Sequence, residues 1–127
     1  MARFPEVPAG PHGLDLDRAR NRAFVACDVG KVAVLDLSTD QEIARVAIAG
    51  EPDAIWFSTA ADHLYVAIGA PGVIDVLDGE TLSVVDEVAT ERGAHTTAFD
   101  SQRHRLYVFL PRSCQASVYQ ESMSMSQ

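Results

Sequence analysis

Hydrophobic and polar positions alternate along this chain in short runs, rich in Val, Ile, Phe and Tyr and bounded by Gly, Pro, Asp, Asn or Ser. Runs of that length and composition predict strands, because β-branched and aromatic side chains suit a pleated surface and the punctuating residues suit turns. The pattern places strands at 13–17, 23–27, 31–36 and 42–48, then 54–58, 64–68, 73–78 and 84–89, then 95–100, 106–110 and 115–119. It predicts no helix.

The runs are copies of one another. Ala23-Phe24-Val25-Ala26-Cys27 recurs as Leu64-Tyr65-Val66-Ala67-Ile68 and as Leu106-Tyr107-Val108-Phe109-Leu110. Pro11 to Pro52 spans 41 residues, whereas Tyr65 to Tyr107 spans 42, as does Val32-Ala33-Val34-Leu35-Asp36 to Ile74-Asp75-Val76-Leu77-Asp78. The one-residue slip therefore falls between Cys27 and Val32, in a turn, where length changes are tolerated. Asp36-Leu37-Ser38-Thr39 and Asp78-Gly79-Glu80-Thr81 repeat an Asp-x-x-Thr turn whose side chains can bond nearby amides.

Four antiparallel strands in about 42 residues form the blade of a β-propeller. The expected fold class is thus all-β, a partial ring of three blades in which the third lacks its fourth strand. Residues 1–121 are expected to form the propeller segment and 122–127 a disordered polar tail. Residues 2–7 precede the first blade as Ala44 to Gly50 precede the second, so they are expected to act as an outermost fourth strand. Pro5 and Pro8 are compatible with such an edge.

The second-strand motif resembles the YVTN-type β-propeller repeat family, here as Phe24-Val25-Ala26-Cys27, Tyr65-Val66-Ala67-Ile68 and Tyr107-Val108-Phe109-Leu110. Gly50-Glu51-Pro52-Asp53 and the Val-Leu-Asp end of the third strand are similar to that family as well. The likeness covers residues 2–120 and departs from it at the last tetrapeptide position, where the family often has Asn. It implies a ring usually of about seven blades, of which this chain is expected to be the C-terminal part, and it leaves the activity open.

Composition narrows the partners. Ten Lys and Arg against eighteen Asp and Glu give a net charge of −8, which disfavours nucleic acid. Arg18, Arg20 and Arg22 cluster beside Asp15 and Asp17 and are expected to be a solvated turn. No run approaches the ~20 apolar residues of a membrane helix, so no membrane partner is expected. The first thirteen residues hold no apolar signal core. A cytoplasmic location is expected of the chain as it stands, and a periplasmic one if it belongs to a longer secreted protein. Cys27 and Cys114 form no C-x-x-C and are expected to be buried free thiols. His63 and His104, in the hairpins after the first strands, are expected on a solvated surface.

The candidate ligand-binding residues are His12, Asp53, His95 and Trp56. The first three share one repeat position, just before the inner strand of each blade, where imidazole and carboxylate groups could ring a channel rim. Each could equally bond its own turn. Trp56, matched to Asp15, could stack on a ligand but is expected in the core. No Gly-x-Ser-x-Gly, phosphate loop, dinucleotide fingerprint or His-Glu-x-x-His is present. Catalytic residues, metal and cofactors are therefore expected to be none, and the expected function is a non-catalytic binding or scaffold module for a small ligand or protein. The competing readings are a metal-assisted hydrolase resembling the propeller lactonases, and a fragment of a longer propeller with no separate function. Open blade faces at both ends are expected to drive self-association.

Overall fold

Eleven strands form among residues 10–121, the part of the chain described by the computed structural model. The first blade is β1 (Pro11–Asp17), β2 (Arg22–Cys27), β3 (Lys31–Asp36) and β4 (Gln41–Ala47). The second is β5 (Pro52–Ser58), β6 (His63–Ile68), β7 (Val73–Asp78) and β8 (Val84–Ala89). The third has only β9 (Thr97–Asp100), β10 (Arg105–Leu110) and β11 (Gln115–Gln120). All pairs are antiparallel between strands consecutive in sequence, which makes a partial propeller of three blades. The fourth strand expected at residues 2–7 and the tail at 122–127 lie outside the described residues.

The middle strands of a blade are apolar on both faces, so a single sheet cannot bury them and blades must stack. Phe24, Ala26, Val32 and Val34 of the first blade meet Ile55, Phe57, Leu64, Val66 and Ile68 of the second. The Phe24 and Phe57 rings lie 5.2 Å apart at their centre. Ile74 and Val76 then meet Leu106 and Val108 of the third blade. Each such side chain contributes about 1.5–3 kcal/mol by leaving water. The outer faces of the first and third blades differ. Ala23, Val25, Cys27 and Ala33 on the outer side of the first blade are buried, whereas Phe109 (48%) and Val118 (53%) on the far side of the third are exposed.

Polar groups tie the first interface at the hairpin end. Asp17 is buried and accepts hydrogen bonds from Arg20 (3.0 Å) and Arg22 (2.8 Å). Arg20 continues to both oxygens of Asp62 at 2.7 Å, and Arg22 donates to the Gly79 carbonyl at 2.7 Å. The arginine cluster is therefore not a solvated turn throughout. Arg22 is buried because Asp17 neutralises it and the Phe24 ring lies under its guanidinium. Burial pushes the Asp17 carboxyl up, but the bonds from Arg22 and Arg20 outweigh it and hold the group below its ordinary value.

Gly30, Gly72 and Cys114 stand 42 residues apart in the turns joining second to third strands, all with positive φ (77°, 101° and 54°). Cys114 is exposed there, not buried, because it replaces a turn glycine; Cys27 is buried as expected.

Two outcomes follow from these contacts. Cys114→Gly removes a left-handed side chain, and a denaturant titration should show a gain of up to about 1 kcal/mol. Asp17→Ala leaves Arg22 buried without its partner and should cost about 3 kcal/mol. The Asp17 stabilisation is complete above the unfolded carboxyl value of 3.8 and is lost as pH falls through the lower folded value. Acid unfolding curves of Asp17→Ala should accordingly lack that part of the low-pH loss.

Candidate functional site

The aligned rim residues take up separate local bonds. His12 Nε2 lies 3.0 Å and 3.1 Å from the two carboxylate oxygens of Asp28. His95 Nδ1 lies 2.6 Å from the Gly93 carbonyl, and Asp53 is exposed. Among the described residues no group of three or more His, Cys, Asp or Glu side chains is arranged to hold a metal ion.

Trp56 is 40% exposed, which corrects its expected place in the core. On β5 it sits opposite Tyr65 in the ladder, and its ring leans toward the third blade. There it meets Phe99 at 6.0 Å, Phe99 stacks on Tyr65 at 5.8 Å, and His63 stands edge-on to Tyr65 at 6.2 Å. The supporting inner strand β9 is four residues long against seven for β1 and β5, so the indole edge stays open. Asp15, its repeat partner, instead accepts the Phe57 amide at 2.7 Å and pins the first blade to the second.

Between the second and third blades the geometry adds a buried carboxylate that sequence reading missed. The Glu121 side chain is 2% exposed. Ser58 Oγ donates to it at 3.1 Å, the Tyr65 hydroxyl donates to its other oxygen, and His104 Nδ1 lies at 3.2 Å. Burial first, and then the Glu121 carboxylate, push the Tyr65 phenol well above its ordinary value. His63 and His104 are half-buried, not solvated, because they serve this interface. The one sequence signal for it is positional: His104 aligns with Asp62, and both hold left-handed turns that bridge blades (φ 55° and 56°).

This network separates two cavities. One, of about 320 Å³, is lined by Trp56, Ser58, Thr59, Phe99, Ser101 and His104. The other, of about 470 Å³, lies on the side of β8 and β11, beside Tyr65, Val85, Val88, Tyr119 and Glu121. The first offers an aromatic wall with hydroxyl and imidazole groups around it, a combination suited to holding a ligand with one flat face and a polar edge.

No protein-family model matches the chain, and no curated protein matches it. Solved structures do. The hydrazine synthase of Kuenenia stuttgartiensis superposes with a TM-score of 0.73 at 19% identity, over 90% of this chain and 38% of that one. Dihydro-heme d1 dehydrogenase NirN in complex with DHE gives 0.70 at 21%, over 80% and 23%. U3-55K gives 0.71 at 9%, over 89% and 40%. At these identities the likeness is one of fold, the β-propeller. The chain spans two fifths or less of each of the three.

The Glu121 network has a spectroscopic consequence. With its phenol held protonated, Tyr65 should be missing from the tyrosinate absorbance step, so wild type and Tyr65→Phe should give equal amplitudes up to about pH 11. Tyr65→Phe should also cost about 1–3 kcal/mol, because it leaves a buried carboxylate oxygen short of a donor.

Proposed function

We propose that this chain is a non-catalytic binding module of the YVTN-repeat type, which holds a small, flat-faced ligand against Trp56 between the second and third blades. The observation that supports this is the half-open indole on the wall of a 320 Å³ cavity. A large apolar ring left in contact with water gains by stacking, while Ser101 and His104 supply polar contacts at the edge. The repeat type is supported by the aligned tetrapeptides, which fall on β2, β6 and β10. The named structural neighbours include a synthase and a dehydrogenase, so the fold alone selects no chemistry. His12 is engaged with Asp28 and His95 with the Gly93 carbonyl, and among the described residues no hydrogen bond joins the two.

Trp56 is the single tryptophan, so its fluorescence reports on the site directly. A set of planar aromatic and sugar compounds should include ligands that shift or quench that emission. Ligand-observed NMR should then show binding weakened at least about tenfold, or ~1.4 kcal/mol, in a folded Trp56→Ala variant. Ligands that bind Trp56→Ala as well as wild type would overturn the reading.

A further inference from the structure

The face that the second blade turns to the first carries a charged side chain that the repeat does not call for. Asp75 on β7 is 2% exposed. Its Oδ2 accepts the Ala49 amide at 2.8 Å, in the linker from β4 to β5, while Oδ1 has no donor among the described residues. Glu87 stands directly opposite Asp75 in the β7–β8 ladder, so both side chains leave the same face of the sheet. The two carboxyl groups lie within hydrogen-bonding reach of each other. In the first blade the same positions, 42 residues earlier, hold Ala33 and Arg45, and in the third Ser117 takes the place of Asp75. The pair is therefore a feature of the second blade and not of the repeat.

The elements around this pair present mainly apolar groups to it. Val66 of β6 stands opposite Asp75 on its other side. On β3 and β4, Val32, Val34, Ala44 and Val46 face the second blade, while Lys31, Glu42 and Arg45 alternate onto the opposite face. Arg22, with Asp36 opposite it in the ladder, faces the second blade at the hairpin end, where Asp17 and the Gly79 carbonyl take it up. Glu51 in the linker is exposed, and Asp86 on β8 lines the cavity on the far side of the sheet. A buried oxygen without a donor is costly, and a second carboxylate beside it adds only repulsion unless one of the two carries a proton. The Glu87 carboxyl is held above its ordinary value, first by its hydrogen bond to Asp75 and then by the Asp75 charge.

We infer that Asp75 and Glu87 share one proton and form an acid-tightened clasp, in which the Glu87 hydroxyl donates to Asp75 Oδ1 and fastens β8 to the joint between the first two blades. With the proton in place each Asp75 oxygen has a donor, Ala49 on one side and Glu87 on the other, and the linker, β7 and β8 are held as a unit. Without it two carboxylates face each other across one rung of the ladder. Strand β8 then loosens first, because it is the outermost of its sheet. A carboxyl raised in the folded state stabilises fully below its unfolded value of 4.5, and that stabilisation is lost as pH rises through the higher folded value.

Thermal melts, hydrogen exchange and NMR of the full chain test the clasp. Glu87→Gln keeps a donor at every pH, so it should melt about 2–4 °C above wild type at about pH 7 and within about 1 °C of it at about pH 4. At about pH 7 the Ala49 amide should exchange at least about threefold faster in wild type than in Glu87→Gln. NMR of the side-chain carboxyl carbons should find Glu87 titrating above 4.5 in wild type, and at or below it in Asp75→Asn, whose amide donates and carries no charge. An equal gain from Glu87→Gln at both pH values, or a wild-type Glu87 titrating at 4.5 or below, would refute the shared proton. Equal exchange at Ala49 would refute its action on the joint. Calcium or magnesium that raises the wild-type melting point at about pH 7, but not that of Glu87→Gln, would show a cation in place of the proton and overturn the inference as well.

Discussion

The contact between the first two blades sets where everything else stands. Side chains alternate between the faces of a strand, so Phe24 and Ala26 can meet the second blade only if residues 23, 25 and 27 face away. A one-residue slip within a strand would exchange the two sets. The slip between the 41- and 42-residue spacings falls between β2 and β3 and leaves both faces intact. Trp56 is consequently aimed at the third blade and Ile55 at the first.

Apolar packing of this kind has little directional preference, and the polar groups supply what it lacks. At the hairpin end of each interface a buried charge joins two blades, but with opposite chemistry. In the first, Asp17 neutralises Arg22 while Arg20 reaches across to Asp62. In the second, the anion Glu121 is at the centre, and Ser58, Tyr65 and His104 approach it. A buried charge is tolerable only with its hydrogen bonds filled, so each network admits one relative placement of the blades.

The fold was legible because it is periodic. Three copies of one pattern outweigh the ambiguity of any single short run, and all eleven expected strands are present. The site was not legible for the same reason. Alignment drew attention to His12, Asp53 and His95, which match by repeat position and make only local contacts or none that join them. Ser58, Tyr65, His104 and Glu121 occupy four unrelated repeat positions and meet only through the stacking of blades. Glu121 also borders the polar tail, where neighbouring Ser and Met residues give no periodicity to mark it. Arg22 was misread because its neighbours in sequence are charged, while its neighbours in space are Asp17 and Phe24.

Irregularity in the repeat and openness in the structure coincide. The third blade departs from the pattern twice, with an inner strand of four residues and no fourth strand among the described residues. Each departure leaves a space against the complete second blade: the Trp56 cavity beside β9, and the larger cavity beside β11. A third repeat as regular as the first two would fill both with its own side chains. Local departures from an otherwise consistent pattern are where a sequence gives up packing, and binding is a use to which such places can be put. The first interface, where the repeat is regular, instead spends its side chains on cohesion: Phe24 against Phe57, and Arg20 against Asp62.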